Sequence, residues 1–308
     1  MTTLLITHPA CLLHDPGRMH PENPDRLRAV LAAFEAPEFA GLRRREAPLA
    51  QIEQISRVHS GLYADRVLQA VPKSGYVGLD PDTIISPGSG EAALRAAGAL
   101  VAAVDAVVAG EARNAFCAVR PPGHHAEAAR AMGFCLFNNV AIGAEQARKV
   151  HGLARVAVVD FDVHHGNGTQ HMFEEDADLF YASTHQSPLY PGTGAAEETG
   201  VGNIVNVPLA PMSGSREFRS AMSGIVLPAL TRFRPELVMI SAGFDAHADD
   251  PLASLRFLEA DYEWATRQLM AVADEFCGGR VVSTLEGGYD LEALAASAAA
   301  HVRTLMNG

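Results

Sequence analysis

Short apolar runs with strand character alternate with longer segments of helical periodicity, and this alternation restricts the fold more than any other feature. Parallel strands need crossover connections, which are usually helices, so the alternation favours a parallel sheet covered by helices on both faces. The sequence thus predicts a three-layer α/β/α fold with a mainly parallel central sheet. The runs with strand character are Thr3–Thr7, Ala115–Val119, Arg155–Asp160, Leu179–Ser183, Leu237–Ser241 and Arg280–Leu285.

Five segments show helical periodicity. In the first, Asn23-Pro24 supplies a capping residue and a first-turn proline before apolar residues at helical spacing. The segments 72–90 and 186–202, rich in Gly and Pro, are predicted loops. With no repeat or linker in 308 residues, we expect one domain over 1–308. The other helical segments are Ser89–Val108, Asn139–Val150, Arg216–Phe233 and Asp261–Phe276.

Charge and cysteine content exclude several classes of protein. The chain has 24 Lys and Arg against 36 Asp and Glu, a net charge of −12, which repels nucleic acid and anionic lipid but attracts cations. Its 4 cysteines contain no Cys-x-x-Cys pair, so neither a thiolate zinc site nor a disulfide framework is indicated. The N-terminus lacks signal-peptide character, and Arg95 and Asp105 interrupt the most apolar segment, 92–110. We expect a cytoplasmic protein with no nucleic-acid or membrane partner.

Nearly every polar cluster lies just after a predicted strand. Examples are the segments 120–125, 160–167, 183–185 and 286–289, together with Asp245. In open α/β sheets the ligand binds outside the carboxyl ends of the strands. These clusters are therefore predicted to converge in one crevice.

The segment Val156-Ala-Val-Val-Asp160-Phe-Asp162-Val-His164-His165-Gly-Asn167-Gly indicates a metal site. Residues at alternate positions of a strand share a face, which places Asp160, Asp162 and His164 together. Two carboxylates and an imidazole in a buried site need a positive partner, and a divalent metal supplies it. Asp245 follows another strand and is predicted as the third ligand. Spacing alone leaves open whether His247 also faces the metal.

Two further segments indicate proton transfer and oxyanion binding. His124 and His125 lie in a Pro/Gly loop and suit proton transfer at neutral pH if each ring has an orienting partner, for which Asp160 and Asn167 are available. In Glu286-Gly-Gly-Tyr289, the glycines allow a bend that brings the phenol into the crevice as a hydrogen-bond donor. Either segment alone is also compatible with a structural loop.

Together these segments resemble the histone deacetylase family, especially its class II-like members and the bacterial acetylpolyamine amidohydrolases. The likeness spans almost the whole chain and keeps the family's order of motifs, which makes the set far more specific than any one of them. The further matching motifs are His20-Pro-Glu-Asn-Pro-Asp-Arg26-Leu, Val58-His-Ser60, Gly133-Phe-Cys-Leu-Phe-Asn-Asn139, Pro191-Gly-Thr-Gly194 and Asn206-Val-Pro208.

The resemblance implies a zinc ion held by Asp162, His164 and Asp245. It makes His125 the general base and then acid, with His124 as its electrostatic neighbour. Asp160 and Asn167 become the partners that orient the two rings. Tyr289 matches the tyrosine that polarises the amide carbonyl.

The resemblance also implies a substrate tunnel and a second metal. Tunnel, rim and product-release positions match Gly133, Phe134, Tyr190, Leu252 and Arg26. A structural potassium ion is implied near the zinc, at Asp160, Asp162, His164, Ser183 and Thr184. The implied substrates are acetylated lysine peptides or acetylpolyamines, the implied inhibitors are hydroxamates, and self-association into a homo-oligomer fits the family.

Two rival functions remain at this point. Asp245-Ala-His247-Ala-Asp249 looks like the metal motif of arginase-type ureohydrolases, which bridge two manganese ions and share this fold. The His124-His125 loop and the turn at Tyr289 instead match deacetylases. The other rival is a relative that has lost catalysis and binds acyl ligands as a sensor.

Overall fold

The central sheet of the protein has eight strands, and every hydrogen-bonded pair in it runs parallel. The structure is a computed structural model and describes residues 2–308. The strands of the sheet are β1 (Thr3–Thr7), β2 (Arg43–Glu46), β5 (Asn114–Cys117), β6 (Val156–Asp160), β7 (Leu179–Gln186), β8 (Ile204–Leu209), β9 (Leu237–Ala242) and β10 (Val281–Leu285). Their order is β2-β1-β5-β10-β9-β6-β7-β8, and a separate antiparallel pair joins β3 (Val77–Gly78) to β4 (Ile84–Ile85).

Helices cover both faces of the sheet. They are α1 (Pro24–Ala33), α2 (Ile52–Ile55), α3 (Gly61–Gln69), α4 (Ser89–Val108), α5 (Asn139–Lys149), α6 (Asn167–Phe173), α7 (Ser215–Ala221), α8 (Leu227–Phe233), α9 (Glu259–Cys277) and α10 (Leu291–Asn307). Helices α4 and α5 pack together over β1, β5, β6, β9 and β10, whereas α9 packs on α10, and α10 on α1. This arrangement confirms the predicted three-layer α/β/α fold.

The inner strands of the sheet are buried and mostly apolar. All five residues of β6 and all five of β10 are buried, as expected for parallel strands between two helical layers. Strand β2, with the sequence RRRE, is a polar edge strand, and the other edge strand, β8, contains Pro208. Both lack a continuous apolar run, which explains why the sequence pattern did not predict them.

The predicted helix over 216–233 is helical throughout, but it contains a π-helical turn that the sequence did not predict. The segment 216–233 divides into α7, a π-helical turn at Met222–Val226 and α8. Pro228 lies in the first turn of α8, where its missing N–H removes one hydrogen bond that a continuous helix would make.

No helix among residues 2–308 is long and apolar enough to cross a membrane.

Candidate metal centre and active site

The predicted polar clusters meet at the carboxyl ends of the central strands. Asp160, the last residue of β6, pairs in register with Ser183 on β7 and Ser241 on β9. The side chains that follow these strands therefore start from the same edge of the sheet. This places the segments after β5, β6, β9 and β10 around one crevice, as predicted.

Asp162, His164 and Asp245 form a compact group of metal-binding side chains. One ligand atom from each residue lies within 4.8 Å of the others. His164 Nδ1 is 3.1 Å from Asp162 Oδ1 and 3.1 Å from Asp245 Oδ2. Ligands bound at about 2.0 Å in a tetrahedral zinc site are separated by roughly 3.3 Å. The spacing and the donor set of two carboxylates and one imidazole therefore fit a zinc ion.

Backbone groups approach the two carboxylates of this group closely. Gly287 N–H donates to Asp162 Oδ2 at 2.8 Å, and a Cβ at Gly287 would lie only 2.1 Å from Asp245 Oδ2. Val163 N–H donates to Asp245 Oδ1 at 2.8 Å. Glycine at 287 is thus required by close approach to the two carboxylates.

His247 lies outside this group of residues. Its Nδ1 accepts a hydrogen bond from Asp249 N–H at 3.2 Å, and its Nε2 is 3.7 Å from Glu259 Oε1, at the start of α9. Its neighbours are therefore the segment after β9 and the first turn of a helix. The question that spacing left open is thus answered by position: His247 lies away from Asp162, His164 and Asp245.

His124 faces the carboxylates of the β6 end. Its Nδ1 is 3.0 Å from Asp160 Oδ2, and its Nε2 is 3.8 Å from Asp162 Oδ2. Burial opposes the charged ring, but these two carboxylates outweigh burial and raise the pKa of His124 to about 10. Tyr181 O–H donates to the same Asp160 Oδ2 at 3.0 Å, a contact that the sequence did not reveal.

His125 has a neutral partner instead. Its Nδ1 lies 2.8 Å from Asn167 Oδ1, so the ring donates there and keeps Nε2 free of that bond. Asn167 Nδ2 in turn donates to Glu127 Oε1 at 2.9 Å, which fixes the amide orientation. Burial and the neighbouring His124 and His164 lower the pKa of His125 well below its ordinary value. The structure therefore pairs each histidine with the partner predicted for it.

Glu286 holds the histidine loop and had no role in the sequence prediction. Its Oε2 accepts hydrogen bonds from Gly123 N–H at 2.7 Å and His124 N–H at 3.2 Å. Its Oε1 accepts from Ser241 O–H at 3.3 Å. Burial raises the pKa of Glu286 to about 7. The one local feature of the sequence that could have indicated a role for Glu286 is its position directly after strand β10.

Tyr289 reaches the crevice from the turn after β10. Asp250 Oδ2 accepts a hydrogen bond from its backbone N–H at 2.7 Å, and the Phe134 ring lies 6.0 Å away, edge to face. Arg26 places its guanidinium carbon 4.8 Å from the centre of the Tyr289 ring. Burial raises the pKa of Tyr289 well above its ordinary value, so the phenol stays neutral.

A buried ionic cluster lies behind this turn. Glu22 accepts hydrogen bonds from Arg26 Nη1 at 3.0 Å and from Arg120 Nη2 at 2.7 Å. Arg26 also donates to the carbonyl oxygens of Glu286 and Gly288. Arg26 was predicted at a product-release position, whereas Glu22 and Arg120 were not given a role.

A cavity of about 250 Å³ leads from the surface to His125, His164 and Tyr289. Among the predicted tunnel residues, Gly133, Phe134, Tyr190 and Leu252 line it, whereas Arg26 lies behind the Tyr289 turn. The Tyr190 ring stands 5.1 Å from the His125 ring and 6.2 Å from the His164 ring. The remaining lining residues are Asp82, His125, His164, Leu189 and Tyr289.

The residues predicted for potassium binding lie side by side on β6 and β7 and in the segment after β6. Ser183 Oγ is 2.9 Å from His185 Nδ1, and Thr184 Oγ1 is buried without a hydrogen-bond partner. Asp160 Oδ1 accepts from Asp162 N–H at 3.1 Å. These contacts do not test potassium binding, so the potassium site stays a prediction.

A sequence profile of the histone deacetylase domain matches residues 20–305, and this match includes every residue of the crevice named above. The chain belongs to the histone deacetylase family. It is 43% identical to a histone deacetylase-like amidohydrolase of Pseudomonas aeruginosa, over 88% of this chain and 72% of that protein. It is 40% identical to the chloroplastic histone deacetylase 14 of Arabidopsis thaliana, over 98% of this chain and 76% of the relative.

A solved structure agrees with the sequence comparison. The crystal structure of the HDA15 HD domain superposes with a TM-score of 0.94 at 37% identity, covering 99% of this chain and 88% of that one. The histone deacetylase relatives support a deacetylase activity, and with it a hydrolase that acts on amide bonds. The family and the fold predicted from the sequence are both confirmed.

Proposed function

We propose that this histone deacetylase relative is a zinc-dependent amidohydrolase that removes acetyl groups from acetylated amines. The observation that carries the proposal is the group of Asp162, His164 and Asp245 next to His125 in the cavity that Tyr289 also lines. This combination supplies three ligands with an open position, a proton acceptor and an oxyanion donor. A zinc ion held there would lower the pKa of a water molecule and polarise the acetyl carbonyl.

The residues of the chain divide the proton chemistry between two histidines. His125 borders the cavity and is held neutral, so its Nε2 accepts the proton of the attacking water and returns it to the leaving amine. His124 lies beside Asp160 and favours the charged form, so it stabilises negative charge instead of accepting the proton. Tyr289 donates its hydroxyl hydrogen to the oxygen that gains negative charge.

The cavity wall suits an extended aliphatic chain. Phe134 and Tyr190 offer apolar ring surface, and Leu252 adds aliphatic surface. Lysine and polyamines both present a chain of methylene groups ending in the acetylated nitrogen, so acetyl-lysine peptides and acetylpolyamines are the proposed substrates. Hydroxamates with a similar linker are the proposed inhibitors, and Arg26 is the proposed positive group on the path of product release.

The remaining assignments stay predictions. They are a structural potassium ion at Asp160, Asp162, His164, Ser183 and Thr184, a single catalytic domain over 1–308, a cytoplasmic location, a homo-oligomer, and no nucleic-acid or membrane partner. The acidic balance of the chain supports the last of these.

The arginase-type rival is less compatible with the geometry. A binuclear manganese site needs further carboxylate and imidazole ligands next to the first set. Among residues 2–308, the one group of three or more His, Cys, Asp or Glu with metal-binding spacing is Asp162, His164 and Asp245. His247 and Asp249 contact each other outside it.

A kinetic panel tests the proposal. The purified, metal-analysed protein is assayed with acetyl-lysine peptides, acetylputrescine, acetylspermidine and longer acyl-lysines. We expect release of acetate from at least one acetylated amine and one catalytic zinc per chain. Two manganese ions per chain with urea release from a guanidino compound would support the ureohydrolase. No turnover of any acetylated amine by the zinc-loaded protein would leave the silent acyl-ligand sensor.

A further inference from the structure

One wall of the cavity belongs to a loop without helix or strand. The loop, residues 187–203, joins β7 to β8 and carries Tyr190, which is 37% exposed; we call it the Tyr190 loop. An exposed aromatic residue on such a loop needs an external restraint to keep a defined position. The ring contacts of Tyr190 with His125 and His164 do not attach the loop backbone.

Glu198 closes the loop on itself and ties it to the body of the protein. Its carboxylate accepts hydrogen bonds from Gly194 N–H at 3.1 Å and from Ala195 N–H at 3.1 Å. Gln170, on α6, donates its side-chain N–H to Glu198 Oε2 at 2.7 Å. These hydrogen bonds outweigh the opposing effect of burial and lower the pKa of Glu198, so the side chain is a carboxylate.

The charge of Glu198 sets the direction of the next hydrogen bonds. A carboxylate only accepts, so Gln170 must present its nitrogen to Glu198 and its oxygen to the other side. Gln170 Oε1 there accepts from Asn206 Nδ2 at 2.7 Å and from His165 Nε2 at 2.9 Å. With its Nε2 donating, His165 accepts at Nδ1 from Thr193 O–H at 2.8 Å. Glu198, Gln170, His165 and Thr193 thus form a continuous chain of hydrogen bonds, which we call the relay. Its two ends, Glu198 and Thr193, both lie in the Tyr190 loop.

This relay passes through the residue next to a predicted zinc ligand. His165 is bonded through the peptide to His164, and it is only 1% exposed. His185, at the end of β7, adds a second tie, because its Nε2 is 3.0 Å from Gly194 O. The loop that forms this wall is therefore hydrogen-bonded to His165, after β6, and to His185, on β7.

We propose that Glu198 and Gln170 are positioning residues for substrate binding, which hold the Tyr190 loop and so preform one wall of the cavity. The proposal rests on the proposed function, since it takes the cavity as the substrate channel. A loosened loop must be ordered again whenever substrate binds, which weakens binding. The groups assigned to the chemical step have their own anchors, such as Glu127 for Asn167 and Asp250 for Tyr289. The loss therefore falls on KM and little on kcat.

A reciprocal exchange of the two side chains tests the relay. Glu198→Gln alone makes two amide groups face each other, and Gln170→Glu alone makes two carboxylates face each other. The double variant restores one carboxylate and one amide with the direction reversed. Glu197→Gln, at an exposed neighbouring position, is the matched control. The readouts are KM and kcat with an acetyl-lysine peptide, and hydrogen exchange of residues 187–203.

We expect each single variant to raise KM roughly tenfold with kcat within about twofold, and to speed exchange in the loop. The double variant should return KM to within about threefold of the original value, and Glu197→Gln should change neither readout. Unchanged KM and exchange in both single variants would overturn the proposal, as would a double variant no better than the singles. If the unmodified protein turns over no acetylated amine, the proposed function fails, and the exchange measurements still decide whether the relay holds the loop.

Discussion

Replacing Tyr289 by phenylalanine isolates one hydroxyl group in the proposed reaction. The ring would keep its edge-to-face contact with Phe134 and its place beneath the Arg26 guanidinium, and the backbone N–H would still donate to Asp250. Burial holds the pKa of the phenol well above its ordinary value, so the group lost is a neutral donor and not a charge. Loss of one oxyanion donor lowers kcat by ~10²–10³, or about 3–4 kcal/mol of transition-state stabilisation.

The loss should fall chiefly on kcat. A ground-state amide oxygen accepts only a weak bond from Tyr289, whereas the oxyanion that follows accepts a strong one. The assay is steady-state kinetics on Tyr289→Phe beside a zinc determination and a hydroxamate titration. Full zinc content, hydroxamate affinity within about tenfold and a kcat lowered by ~10²–10³ are expected. A kcat near that of the unmodified protein, with full zinc content, would refute the assignment.

Three further predictions concern the metal, the proton and the buried cluster. Asp245→Ala should abolish zinc binding, whereas His247→Ala should retain it; elemental analysis giving the opposite order would contradict the ligand assignment. His125→Ala should lower kcat far more than Asn167→Ala, because the first moves the proton and the second only orients the ring; equal losses in folded variants would argue against His125 as the base. Glu22→Gln should lower the free energy of unfolding in urea by ~3–5 kcal/mol, because two buried guanidinium groups lose their carboxylate, while the exposed Glu35→Gln should change it little. Arg120 outweighs burial and lowers the pKa of Glu22, so this stabilisation is present above the carboxyl's ordinary pKa and is lost as the pH falls below it.

The sequence predicted those parts of the fold that depend on continuous apolar runs. Strand β6 and helix α4 follow from local periodicity, and the strand order does not, because it is set by which strands pair across the sheet. The edge strand β2 is exposed and charged, so no apolar pattern marks it. The π-helical turn before Pro228 likewise reflects how a helix accommodates one missing N–H, which an apolar repeat does not record.

Within the site, the sequence predicted the groups that the chemistry requires and the partners of the two histidines, but it missed two buried carboxylates behind them. Asp162, His164 and Asp245 were predicted and lie together. Glu286 and Glu22 were missed because they bind groups distant in the sequence: Gly123 N–H donates to Glu286, 163 residues away, and Arg120 donates to Glu22, 98 residues away. A buried carboxylate shows its role only when its donors are known.

The two adjacent histidines show what the three-dimensional arrangement adds to the sequence. The residue pattern alone leaves His124 and His125 as equivalent candidates for the proton acceptor, and only the family resemblance assigns that role to His125. In the structure, Asp160 and Asp162 raise the pKa of His124, whereas burial and the charge of its neighbours lower that of His125. When the surroundings of two titratable groups shift their pKa values in opposite directions, the two groups take different roles in proton transfer. A bound zinc ion would lower both pKa values through its charge, but it would not remove the Asp160 carboxylate that distinguishes the two rings. Since His125 also lines the cavity, it is the ring placed to accept a proton from water, and His124 the one placed to remain charged.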